Sequence, residues 1–124
     1  MTIEEFISWL KTQNITDVYA GYIPKGKTNV IGVYARPNSG KVQGYNPSYS
    51  IRGLTILIHG TKGLYETETK ALSLYKMLSR ATFSTTDHNG WIECKGYPVD
   101  IGKDENGVCE YSFDLTLYIK TNKN

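Results

Sequence analysis

The chain has 124 residues, with 14 Lys and Arg against 12 Asp and Glu, a formal net charge of +2. That length fits a single domain, 1–124, able to build its own core, and the charge is too small to imply a nucleic-acid partner by itself. Hydrophobic residues at 40% and charged residues at 21% exclude wholesale disorder.

Residues 2–13 read as an amphipathic helix. Thr2 and Glu5 fit a capping box, Ile3, Phe6, Ile7 and Leu10 form the apolar stripe, and Trp9 sits at its rim. The acids here stand where a secretion signal needs bases, and no apolar run is long enough to span a bilayer, so no membrane partner is expected. Residues 17–23 and 29–36 read as two strands joined as a hairpin, with Lys25 and Lys27 in its loop. Residues 37–50, PNSGKVQGYNPSYS, are crowded with Pro, Gly, Asn and Ser and read as a long loop of the kind that carries contacts. In the strand 51–59, Leu54, Ile56 and Ile58 share one face while Ile51, Leu57 and His59 share the other, which predicts cover on both sides.

A second helix is predicted over 64–80. Leu64, Ala71, Leu74, Tyr75 and Leu78 form its stripe, with a Glu66–Lys70 pair at i,i+4. Beyond it, 82–86 and 91–95 flank DHNG, whose Asn89-Gly90 is a hairpin-turn signal. A strand over 97–101 leads through KDENG to the cleanest strand of all, where Cys109, Tyr111, Phe113, Leu115, Leu117 and Ile119 alternate with polar residues and Tyr118. The order α-β-β-β-α followed by three or four strands predicts an α+β fold, a mainly antiparallel mixed β-sheet with two α-helices packed on it.

Chemistry is thin. GYIPKGKT, residues 21–28, matches the letters of the phosphate-cradling P-loop. That motif needs a helix directly after it, whereas NVIGVYARP is β-branched and ends in proline, and Pro24 deletes one N–H of the cradle. The string is read as a turn bearing two solvated lysines, with nucleotide binding kept as the minor alternative. His59 reads as structural or interfacial and His88 as a solvated turn residue. Cys94 and Cys109 read as free thiols that paired strands would let face each other. Neither the histidines nor the cysteines have metal-ligand spacing, and Asp104, Glu105 and Asn106 read as a turn and not a calcium loop. No catalytic residue, cofactor or metal is expected.

The helix leading into DVYAGYIP, the strand NVIGVYA, the strand–helix unit LTILIHG…ALSLYKML and the C-terminal GKDENGVCEYSFDLTLYIK together resemble a small family of phage minor capsid proteins. They are similar in plan to the tail terminator, or tail completion, proteins of long-tailed phages. The resemblance covers nearly the whole chain and rests on patterns of apolar residues and turns. It implies a structural virion protein assembled in the cytoplasm of a bacterial host. Such a protein is a ring subunit, hexameric in its assembled form or monomeric until a tail is present, that caps the tail tube and joins it to the head connector. Its implied partners are copies of itself, the tail tube protein and the head connector protein, with no membrane and no specific nucleic acid. Another head–tail or tube component with the same plan is the alternative. The residues expected to make contacts are Lys25, Lys27, Arg36, Lys41, Tyr45, Tyr49 and Arg52, and deletion of 40–46 is expected to spare the fold while impairing assembly.

Overall fold

The computed structural model describes residues 1–37 and 49–122. The elements are α1 (Ile3–Thr12), β1 (Val18–Ala20), β2 (Val30–Ala35), β3 (Ser50–His59), α2 (Leu64–Leu78), β4 (Thr82–Ser84), β5 (His88–Cys94), β6 (Val99–Lys103) and β7 (Cys109–Thr121). The fold is α+β as predicted, with four strands after the second helix. They form one mixed sheet in the order β1-β2-β3-β7-β5-β4, and β6 pairs with β7 beside β5.

β7 is the spine. One flank pairs with all of β3, from Ser50 opposite Ile119 to His59 opposite Glu110. The other flank carries β5 along Leu115–Thr121, then β6 along Cys109–Ser112, with the Lys95 N–H reaching the Asp114 carbonyl between them. β5 and β6 are therefore a single strand path broken at 95–98. The alternation in β7 sorts its side chains as expected, and paired residues share a face. Tyr111, Phe113, Leu115, Leu117 and Ile119 join Leu54, Ile56 and Ile58 of β3 and Ile31 and Val33 of β2 in one core, with Phe6, Ile7, Trp9 and Leu10 of α1 and Ala71, Leu74 and Leu78 of α2. Trp9 is buried, stacked on Phe6 at 5.8 Å and edge-on to Phe83 at 6.1 Å.

Both helices thus lie on one face of the sheet, so among the described residues the cover on the second face of β3 comes from side chains and not from a helix. Among the described residues its second face, with Ile51, Thr55, Leu57 and His59, has no helix over it; Ile51 and Leu57 are half-buried by neighbouring side chains.

The first two strands are parallel, with Val18 opposite Ile31 and Ala20 opposite Val33, so the predicted hairpin is wrong. Gly21 at φ +77°, Gly26 at +80° and Asn29 at +59° bend the chain back along its own length, and the three-residue β1 leaves little distance to retrace. The Asn89-Gly90 turn also does not form. Both residues lie in β5, and the turn is Thr86-Asp87, closed by the Thr85 N–H on the His88 carbonyl at 2.7 Å. Gly90 is needed for another reason: a Cβ there would land on the Tyr118 carbonyl oxygen.

Local chemistry explains the helix ends. Thr2 caps α1 by accepting the Glu5 N–H at 3.0 Å, but the other half of the capping box is absent. The Glu5 carboxylate instead accepts from Thr85 Oγ1 at 2.6 Å and His88 Nδ1 at 2.7 Å, pinning α1 to the β4–β5 turn. His88 is therefore a bonded residue and not the solvated one expected. Burial pushes the Glu5 carboxyl up, and these hydrogen bonds with the histidine's charge outweigh it, so its net shift is downward from 4.5. A depressed carboxyl stabilises the fold above its unfolded value, and that contribution is lost as pH falls through the folded value. Glu5→Gln should therefore flatten the acid limb of the stability curve below about pH 4.5. Urea titrations from pH 3 to 7 check this; an unchanged slope would refute the anchoring role.

α2 has no side-chain cap at Gly63, and buried Thr67, one turn in, ties the helix start to the preceding loop. Its hydroxyl donates to the Gly63 carbonyl at 2.9 Å and accepts the Thr61 N–H at 3.0 Å. The helix stops at Leu78, two residues before the predicted end, where Ser79 turns extended at ψ 121° and Arg80 follows at φ +62°. Leu64 is exposed and outside the stripe, and Lys70 bonds the Asn29 carbonyl and side chain at 2.9 and 2.8 Å instead of Glu66. Cys94 pairs with Leu115 and Cys109 with Lys103, six residues apart on β7 or roughly 20 Å. The two thiols do not face each other.

Candidate functional site

Residues 21–28 leave β1 and run into strand β2, with no helix after Thr28. The oriented N–H groups of a helix N-terminus, which give the P-loop letters their chemistry, are missing. Lys27 donates to Tyr19 at 3.2 Å and lies 5.8 Å from that ring, and the hydrogen bond raises its pKa from 10.5. Lys25 is exposed. Residues 23–28 of the loop line a cleft of about 380 Å³ together with His59, Lys62, Asp104, Asn106 and Val108.

His59 is fixed by carboxylates. Its Nδ1 is 2.8 Å from Glu110 Oε2 and its Nε2 is 3.8 Å from Asp104 Oδ2. The Val108 N–H, more than the Asn106 N–H and His59, holds the Asp104 carboxyl below 3.8 despite some burial. The same two amides bond Asp104 Oδ1, so this cluster is an Asx-type turn, as read from the sequence. His59 serves as a structural residue locking the ends of β3 and β7 together.

The helix-free face of the sheet carries most of the remaining candidates. Arg36 lies flat across it over Gly53, where any side chain would meet the guanidinium. It donates to the Leu115 carbonyl at 3.0 Å and to Thr116 at 3.3 Å, with Asp114 at 3.7 Å. Asp114 also accepts from Thr55 at 2.7 Å. Toward one end of this face, Trp91 stacks on Tyr118 at 5.0 Å and 5°, and Tyr49 closes on both at 5.7 and 6.0 Å. Burial, with Glu93 adding to it, raises the Tyr118 pKa from 10.0. Arg52 points the other way, donating to the Met1 carbonyl at 2.8 Å.

The seven expected residues are thus not one patch. Lys25 and Lys27 sit at the β1 flank, Arg36 and Tyr49 on the open face, and Arg52 beneath the N-terminus. Lys41 and Tyr45, with most of the loop 37–50, lie outside the described residues. Sequence reasoning missed Trp91 and Tyr118, although the alternation in β7 already put Tyr118 on the wet face. It also missed Tyr97, Val99 and Ile101, large exposed residues on or beside β6.

Among the described residues, what the arrangement offers is surface. No helix among the described residues is long and apolar enough to cross a membrane, and no group of three or more His, Cys, Asp or Glu among them could hold a metal ion. No curated protein sequence matches the chain. A family model described as bacteriophage tail terminator protein matches residues 9–121. With nearly its whole length matched and the α+β plan expected of it, the chain belongs to the bacteriophage tail terminator family.

Proposed function

We propose that this chain is a single-domain subunit of a ring, hexameric when assembled, that caps the phage tail tube and joins it to the head connector. It acts as a structural part of the virion, put together in the host cytoplasm, without catalysis. The observation that carries this reading is the second face of the sheet, which no helix covers among the described residues. That face places Trp91, Tyr118 and Tyr49 beside a belt of paired charges, Arg36–Asp114 and Glu93–Lys95. Aromatic anchors with a charged surround are the anatomy of protein interfaces. Its partners are copies of itself, the tube protein and the connector, and Lys25, Lys27, Arg36, Lys41, Tyr45, Tyr49 and Arg52 remain the proposed contact set.

Native mass spectrometry and negative-stain images of the chain, alone and with tail tube protein, test this. Rings, or a monomer that becomes cyclic on tube ends, are expected. A chain that never associates and never touches tube or connector protein would refute it.

A further inference from the structure

The described residues hold two Asn-Gly pairs, Asn89-Gly90 and Asn106-Gly107. Asn-Gly is the dipeptide in which an asparagine amide is most easily lost. The main-chain nitrogen of the second residue attacks the side-chain carbonyl carbon of the first, and glycine puts no Cβ in the way. A fold allows this attack only where the side-chain amide can turn, the following nitrogen can leave its hydrogen bond, and there is room for the cyclic imide that forms.

Asn89-Gly90 meets none of these conditions. Gly90 lies in β5 between Ile119 of β7 and Phe83 of β4, and the Asn89 side-chain amide donates to Asn122 Oδ1. Freeing the Gly90 nitrogen means parting β5 from a neighbouring strand. Asn14 and Asn29 are exposed, but Ile15 and Val30 follow them, and a branched side chain shields the attacking nitrogen.

Asn106-Gly107 lies in the turn between β6 and β7 and meets all the conditions. Asn106 is exposed, and its side chain makes no hydrogen bond within the described residues. The Gly107 N–H donates to the Asp104 carbonyl at 3.0 Å. Such a bond contributes about 1 kcal/mol net, so at the surface it opens readily. Gly107 sits at φ +81° with nothing within 4 Å of where a Cβ would stand. Asp104 Oδ1 meanwhile accepts the Asn106 and Val108 N–H groups at 2.9 Å each, so the turn keeps its shape when the Gly107 bond opens.

We propose that Asn106 is a site of spontaneous deamidation in the folded chain, with water as the co-reactant. The Gly107 nitrogen gives its proton to solvent base and bonds to Asn106 Cγ. The Cγ–Nδ2 bond breaks, and Nδ2 leaves as ammonia after taking a proton from solvent. One water then opens the imide. Opening at Cγ gives aspartate, and opening at the main-chain carbonyl gives isoaspartate, whose chain runs through Cγ and is one methylene longer. Either product lowers the formal net charge of +2 by one and sets a second carboxylate beside Asp104 in the cleft lined by Lys25, Lys27 and Lys62.

The test is incubation of the folded full chain in mildly alkaline buffer made with heavy-oxygen water, followed by peptide mapping in a mass spectrometer. Residue 106 should convert at least about tenfold faster than residue 89, and each product should carry one solvent oxygen. In urea, where neither pair is held, the two rates should come together. Gly107→Ala should slow conversion at 106 by about tenfold or more, because its methyl shields the nitrogen. Circular dichroism checks that this variant is folded, and the comparison of 106 with 89 stands by itself if it is not. A folded wild type in which 106 converts no faster than 89 overturns the proposal. So does conversion at 106 that a folded Gly107→Ala leaves unchanged, since the attack then does not come from that nitrogen.

Discussion

Gly90→Ala should be among the most damaging single substitutions in the chain, lowering stability by about 3 kcal/mol. Gly90 lies mid-strand in β5, opposite Ile119 of β7 and Phe83 of β4. Its added methyl would meet the Tyr118 carbonyl oxygen and then the Phe83 ring. A ring can tilt away, but a backbone carbonyl inside a paired sheet moves only if β5 and β7 separate. The expected fall in melting temperature is roughly 10 °C for a domain of this size. Gly26→Ala supplies the contrast. It has φ +80° and open space around the position, so only backbone strain of about 1 kcal/mol applies. Urea denaturation followed by circular dichroism compares the two, and equal costs would mean that the close approach of Gly90 to Tyr118 is not what fixes β5.

Phe6→Ala should cost about 3–5 kcal/mol, the range for emptying a fully buried aromatic site. Phe6 has no exposed surface and lies against Trp9 in the layer between α1 and the sheet. Domains of this kind have a total stability of roughly 5–15 kcal/mol, so the variant should be poorly soluble when expressed at 37 °C. The remaining Trp9–Phe83 contact gives a second readout, since tryptophan emission should shift to the red as water enters the vacated site. A loss under about 1 kcal/mol would show that α1 contributes little to holding the core.

The parts of the fold that were legible are those written in local periodicity. The alternation of β7 and the stripes of α1 and α2 needed no partner to be read. What failed depended on residues far away in sequence. The parallel pairing of β1 and β2 is the exception, because Gly21, Gly26 and Asn29 lie in the connection itself, and such turn residues do not by themselves tell a hairpin from a loop that doubles back. Gly90 looked like a turn glycine because turns and close backbone approach both demand the absence of a Cβ. Glu5 and Lys70 had plausible helical partners, yet each was taken by a group from another element, 80 and 41 residues away in the chain. The candidate contact set divided for the same reason. Charge and aromaticity identify sticky residues but not whether a fold uses them internally, and Arg36 and Arg52 are both hydrogen-bonded within it. The exposure of Tyr97, Val99 and Ile101 could be seen only once β6 was known to be an edge.

The central position of β7 has a consequence for how each copy comes into being. Its longest pairing is with β3, some 60 residues earlier, and β5 and β6 have no other inner neighbour. During synthesis the middle of the sheet therefore stays vacant until β7 leaves the ribosome. Contacts this distant in sequence slow folding and leave unpaired edges exposed meanwhile. A nascent subunit then carries two half-sheets with nothing between them, and a chain stopped before residue 109 has no way to join them. Only a copy translated through β7 can close its sheet, so the order of synthesis itself keeps chains stopped short of that strand out of an assembly.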